Sequence, residues 1–121
     1  MKVVSTHFIL KGKTDYKDLE PVFPQMLRVL LEEIGQMPEE EEILKMYEEL
    51  NLADIRANRK PEGYNRKGKV RLVFPIGRKE FYLKSYEKFN DLKTIVAKFS
   101  DILTDAGIDF EIVDGEGYMN L

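Results

Sequence analysis

In the opening "KVVSTHFILK", Val4, Thr6, Phe8 and Leu10 alternate with Val3, Ser5, His7 and Ile9. A period of two with β-branched residues throughout predicts a strand. The period then changes. Leu19, Val22, Phe23, Met26, Leu27, Leu30, Leu31 and Ile34 recur at spacings of three and four, the apolar stripe of a helix. Pro21 and Pro24 belong in its first turn, where a missing N–H costs least, and Gly35 stands where a terminating glycine belongs. A second helix is expected from Pro38. Its first turn holds the carboxylates of Glu39 to Glu42 against the positive end of the helix dipole, and Ile43, Met46, Tyr47 and Leu50 form its apolar stripe.

The pattern fades between Leu52 and Ile55, and residues 57–68 read as a loop because Pro61, Gly63, Asn65 and Gly68 are turn formers. "KVRLVFPIGRKEFYLKSY" reads as a hairpin, with Val70, Leu72, Phe74 and Ile76 alternating and Pro75 to Arg78 as the connection. Asn90 or Asp91 caps a third helix with the stripe Leu92, Ile95, Val96, Phe99, Ile102 and Leu103, ended by Gly107. "IDFEIV" is a last strand, and residues 114–121 form a glycine-rich tail. The order β-α-(α)-β-β-α-β, with the second helix set aside, predicts an α+β, ferredoxin-like sandwich: a four-stranded antiparallel sheet with helices on one face. With 121 residues, the chain is expected to form a single α+β domain, residues 1–121.

Composition changes this picture little. Hydrophobic residues at 43% and 13 aromatics (7 Phe, 6 Tyr) suffice for a core, so the disordered class is excluded. No apolar run approaches the roughly 20 residues that span a membrane, so no membrane partner is expected. The amino terminus turns charged at Lys11 and has no small-residue cleavage site. With zero cysteines there is no disulfide framework, and the expected location is cytoplasmic.

Charge changes it more. The net charge of −3 hides a partition: residues 56–88 carry 11 basic and 3 acidic side chains, while both flanking segments are acidic. Within "NRKPEGYNRKGKVR", residues 58–71, six of fourteen positions are Lys or Arg. Such asymmetry speaks to partners and steering rather than to fold.

The candidate chemistry is narrow. A single histidine and no cysteine exclude two-imidazole mechanisms within one chain and tetrahedral zinc sites. Neither phosphate-loop nor dinucleotide-binding glycine patterns occur, and no cofactor is expected. A carboxylate cluster of Asp109, Glu111, Asp114 and Glu116 remains, with His7 placed near Asp109 or Glu111 by the strand pairing. If Phe81 and Leu83 face the helices, Tyr82, Lys84 and Tyr86 share the other face with Lys69 and Arg71. Aromatic rings and cations on an open sheet are how several modules hold single strands. The glycine–aromatic–glycine core of the RNA-recognition signature is absent from "RKEFYLKSY".

The reading that follows is a non-enzymatic nucleic-acid-binding module, single strands favoured, using Arg59, Lys60, Arg66, Lys67, Lys69, Arg71, Tyr82, Lys84 and Tyr86. Tyr64, at the centre of the loop, would extend its groove. Two alternatives stand beside it. One is an interaction or homodimerisation domain whose basic surface binds an acidic protein. The other, ranked last, is a metal-dependent nuclease with Asp109 and Glu111 as ligands.

Overall fold

The structure, a computed structural model, describes residues 3–66, 70–85 and 92–114. It is a mixed α/β fold with four strands, β1 (Val4–Leu10), β2 (Val70–Val73), β3 (Glu80–Ser85) and β4 (Phe110–Asp114). Three α-helices accompany them, α1 (Phe23–Glu33), α2 (Glu41–Arg56) and α3 (Leu92–Asp105), with a 3-10 turn at Tyr16–Leu19. The sheet is open, ordered β2-β3-β1-β4, and every neighbouring pair is antiparallel. No helix of the described residues is long and apolar enough to cross a membrane.

Strand alternation and register decide which side chains meet. Phe8 lies opposite Phe81 and Ile112, Thr6 opposite Leu83, and Leu72 opposite Leu83. These positions form the core side of the sheet, where Phe8, Leu10, Val70, Leu72, Phe81 and Leu83 join the buried stripes of the helices. Five phenylalanines make its centre. Phe8 stacks on Phe81 at 4.9 Å, Phe74 and Phe99 flank Phe81 at 5.4 and 6.4 Å, and Phe23 meets Phe74 at 6.5 Å. Each is no more than 1% exposed, so truncating any of them opens a cavity.

The apolar stripes of α1 and α3 face the core as expected, but α1 begins at Phe23, so Pro21 precedes it and Leu19 is buried from the 3-10 turn. Gly35 and Gly107 follow the two helices with φ of 69° and 73°. The helix α2 departs further. It begins at Glu41 rather than Pro38, continues to Arg56, and turns Leu44, Leu52 and Ile55 to the core. Three of the four expected stripe residues face outward instead, with Ile43, Met46 and Leu50 36%, 48% and 55% exposed, while Tyr47 is half-buried against the core. Two polar residues make this rotation stable. Glu48 takes the Arg28 Nε–H at 3.0 Å, and Asn51, 3% exposed, binds the neighbouring chain.

That neighbouring chain is the segment expected to be a loose loop. Asn51 Oδ1 accepts from the Gly63 N–H at 2.7 Å, while its amide donates to the Tyr47 carbonyl at 2.9 Å. The clamp sets Tyr64 beside β2, where it exchanges both backbone hydrogen bonds with Leu72, at 2.8 and 2.9 Å. An added bridge at this position covers part of the β2 edge, which would otherwise present unpaired groups. Replacing Asn51 with Leu leaves the Gly63 N–H without its acceptor, at an expected cost of about 1–3 kcal/mol. Chemical denaturation of the variant beside the wild type measures it.

A second set of contacts ties the end of α2 to the β2–β3 hairpin. Asp15 accepts from the Tyr16 N–H and from the Asn58 amide, and pairs with Lys79 at 3.1 Å. The Tyr16 N–H and the Asn58 amide hold its carboxyl below the ordinary range.

Candidate ligand surface on the distal sheet face

The face of the sheet away from the core carries three rows of side chains. Arg71 is opposite Lys84, and Lys84 is opposite Ser5. One row along, Val73, Tyr82, His7 and Val113 follow one another across the four strands. The last row runs from Glu80 through Ile9 to Glu111. Alternation alone puts them here, because Val70, Leu72, Phe81 and Leu83 are claimed by the core.

Of the predicted nucleic-acid residues, Arg71, Tyr82 and Lys84 therefore share one face. All three are half-buried, and Arg71 Nη1 donates to Asn65 Oδ1 at 3.1 Å. The cations of the loop behave otherwise. Arg59 pairs with Asp54 of α2 at 3.3 Å, and the Arg66 guanidinium lies 4.6 Å from the centre of the Tyr47 ring, also on α2. Lys60 reaches the Pro61 carbonyl at 3.4 Å. Tyr64 is 7% exposed and gives its hydroxyl to Gln36, so it offers no ring face for stacking. Lys67, Lys69 and Tyr86 lie outside the described residues.

The histidine finds a different acid from the expected one. Asp109 precedes β4, and Glu111, opposite Ile9, pairs with Lys11 at 2.8 Å. His7 Nδ1 instead meets Glu80 Oε2 at 2.6 Å, and its Nε2 is 3.2 Å from Ser5 Oγ. A carboxylate only accepts, so Nδ1 donates, and in the neutral ring Nε2 is left to accept the Ser5 hydroxyl proton. The order hydroxyl, imidazole, carboxylate is that of a nucleophilic triad. Burial argues against that use: Ser5, His7 and Glu80 are 3%, 1% and 2% exposed, so the hydroxyl has no approach for a substrate. The chain of bonds locks β1 to β3 and sets the Tyr82 ring, which tilts by 34° over His7 at 4.6 Å. The spacing Ser5-x-His7 could have signalled two polar residues on one strand face, but nothing local marked Glu80 as their partner.

Among the described residues, no three His, Cys, Asp or Glu side chains are grouped to hold a metal ion. A depression of about 510 Å³ lies between the β1–α1 connection and the end of α3. Its lining mixes Lys11, Lys13 and Lys17 with Asp18, Glu20 and Asp109, so it presents no single sign of charge. No family model, curated protein or solved structure matches the chain.

Proposed function

We propose that the distal sheet face binds single-stranded nucleic acid and performs no chemistry on it. The observation carrying this reading is the placement of Arg71 directly across from Lys84, with the Tyr82 ring one row along on the same face. Two cations and a ring at neighbouring sheet positions suit consecutive phosphates and a base. Stacking is worth about 1–3 kcal/mol per base, and the cations supply the salt-dependent share. The reading centres the ligand on the sheet and moves it away from Arg59 and Arg66, whose charges are directed to α2.

We also infer a ferredoxin-like architecture with α2 as an insertion. In support, β1 and β2 both run antiparallel to β3 between them, so they are parallel to each other, as in a split β-α-β unit. On that architecture the helices leave one sheet face uncovered, and its buried Ser5, His7 and Glu80 confine a ligand to the half-buried Arg71, Tyr82 and Lys84.

Fluorescence anisotropy with a labelled oligonucleotide tests the functional reading. Arg71→Ala and Lys84→Ala are each expected to weaken binding about tenfold, in line with one charge-assisted contact. Tyr82→Ala is expected to weaken it about 5- to 150-fold, with Tyr82→Phe close to the wild type. Unchanged affinity in the Arg71→Ala/Lys84→Ala double variant would overturn the proposal. An acidic protein could use the same two cations, and binding that ignores Tyr82→Ala but responds to both charge variants would favour that partner.

A further inference from the structure

The residues displaced from the core side of α2 are not scattered. Ile43, Met46, Leu50, Ala53 and Ala57, the last at the helix C-cap, recur at spacings of three, four, three and four, and all are exposed. This is the a/d seam of a heptad pattern, the sequence form that packs one helix against another. It stands beside the separate core stripe of Leu44, Leu52 and Ile55, so α2 has two apolar sides and the chain's own core covers one.

We infer that this seam is the interface of a homodimer in which α2 packs antiparallel against α2 of a second copy. Two features select a second copy, in that orientation. Size is complementary, because the bulky Ile43 and Met46 occupy one end and the small Ala53 and Ala57 the other, so reversing the partner sets large against small. Charge is complementary as well. The helix opens on the acidic Glu41 and Glu42 and closes on the basic Arg56. Glu42 and Arg56 lie two heptads apart on one flank of the seam, so the antiparallel pair brings each against its opposite in the partner. Arg56 is shared within its own chain, reaching Glu20 at 2.5 Å and Glu49 at 3.2 Å. Glu49, nearest the two-fold axis, is thereby neutralised, and the partner's Glu42 would be a third carboxylate around the same guanidinium. The interface is isologous, as a two-fold dimer requires.

One helix of 16 residues supplies a short seam. Stable interfaces bury about 1,200–2,000 Å², and a seam this short falls at the low end, so the dimer is weak. Its population should rise through roughly 10 to 500 µM protein. The proposal does not depend on nucleic-acid binding, since α2 and the distal sheet face are separate surfaces.

Sedimentation velocity on the full chain over that concentration range provides the test. The wild type should shift from monomer to dimer, and Leu50→Glu or Met46→Glu should remain monomeric with unchanged circular dichroism, because both positions are exposed. A charge exchange tests orientation. Glu42→Arg alone and Arg56→Glu alone should each weaken self-association severalfold, while an equimolar mixture of the two should form a heterodimer. A wild type that stays monomeric throughout, or a dimer indifferent to Leu50→Glu, would overturn the inference. A dimer broken by Leu50→Glu but unrestored by mixing would overturn the antiparallel arrangement.

Discussion

Replacing Glu80 with Ala should lower unfolding free energy by about 1–3 kcal/mol, the usual cost of leaving a buried donor without its acceptor. The carboxylate is 2% exposed, holds His7 Nδ1 at 2.6 Å, and has Arg78 at 3.7 Å on its other oxygen. Truncation leaves the imidazole donor facing a small cavity, and the Ser5–His7 bond loses the group that fixes its ring. Domains of this size are stable by about 5–15 kcal/mol, so the variant gives up a large fraction of the total. Glu80→Gln retains an acceptor oxygen and most of the volume, and should cost less than half as much. Urea denaturation followed by circular dichroism separates the two. Equal and small losses would contradict the role given to this pair.

The second large effect is expected at Gly63. Its φ of 76° lies in the left-handed region, and an added Cβ would come 2.3 Å from the Leu72 carbonyl oxygen. A backbone atom cannot swing aside as a side-chain tip can, so Gly63→Ala must push the Tyr64 segment off β2. Left-handed backbone costs about 1–2 kcal/mol for a residue with a Cβ, and two bridge hydrogen bonds add about 1 kcal/mol each. The expected loss is about 3 kcal/mol. Gly77 gives a control, since its φ of 78° is similar but nothing lies within 4 Å of the added atom. Gly77→Ala should therefore cost only the backbone share. Equal losses at the two positions would show that the close approach at Gly63 is not a constraint.

These two sites also show where sequence pattern stops being informative. The helices α1 and α3 were legible because each has one apolar stripe with no competitor. The helix α2 carries two, and the truer-looking one, Ile43-Met46-Leu50, is exposed, while its core stripe is interrupted by Glu48 and Asn51. Those two are buried for reasons that lie far along the chain, in Arg28 and Gly63. Tyr64 likewise looked like an exposed loop aromatic until Leu72 paired with it. Alternation on β2 and β3 correctly put Arg71, Tyr82 and Lys84 on one face, since Val70, Leu72, Phe81 and Leu83 left no other choice. It could not identify Glu80 as the partner of His7, because that bond joins residues 73 positions apart. Nor could charge counting show that Arg59 and Arg66 turn to α2, since direction depends on the loop's clamped path.

The reading of the distal face as a nucleic-acid surface is tested most directly by the salt dependence of binding. Affinity for a short single-stranded oligonucleotide should be measured between roughly 50 and 300 mM salt. With Arg71 and Lys84 as its phosphate contacts, the plot of log affinity against log salt should have a slope of roughly −1.4, about −0.7 for each phosphate. The Arg71→Ala/Lys84→Ala variant should flatten it. A flat wild-type slope, or no binding at the lowest salt, would contradict the account.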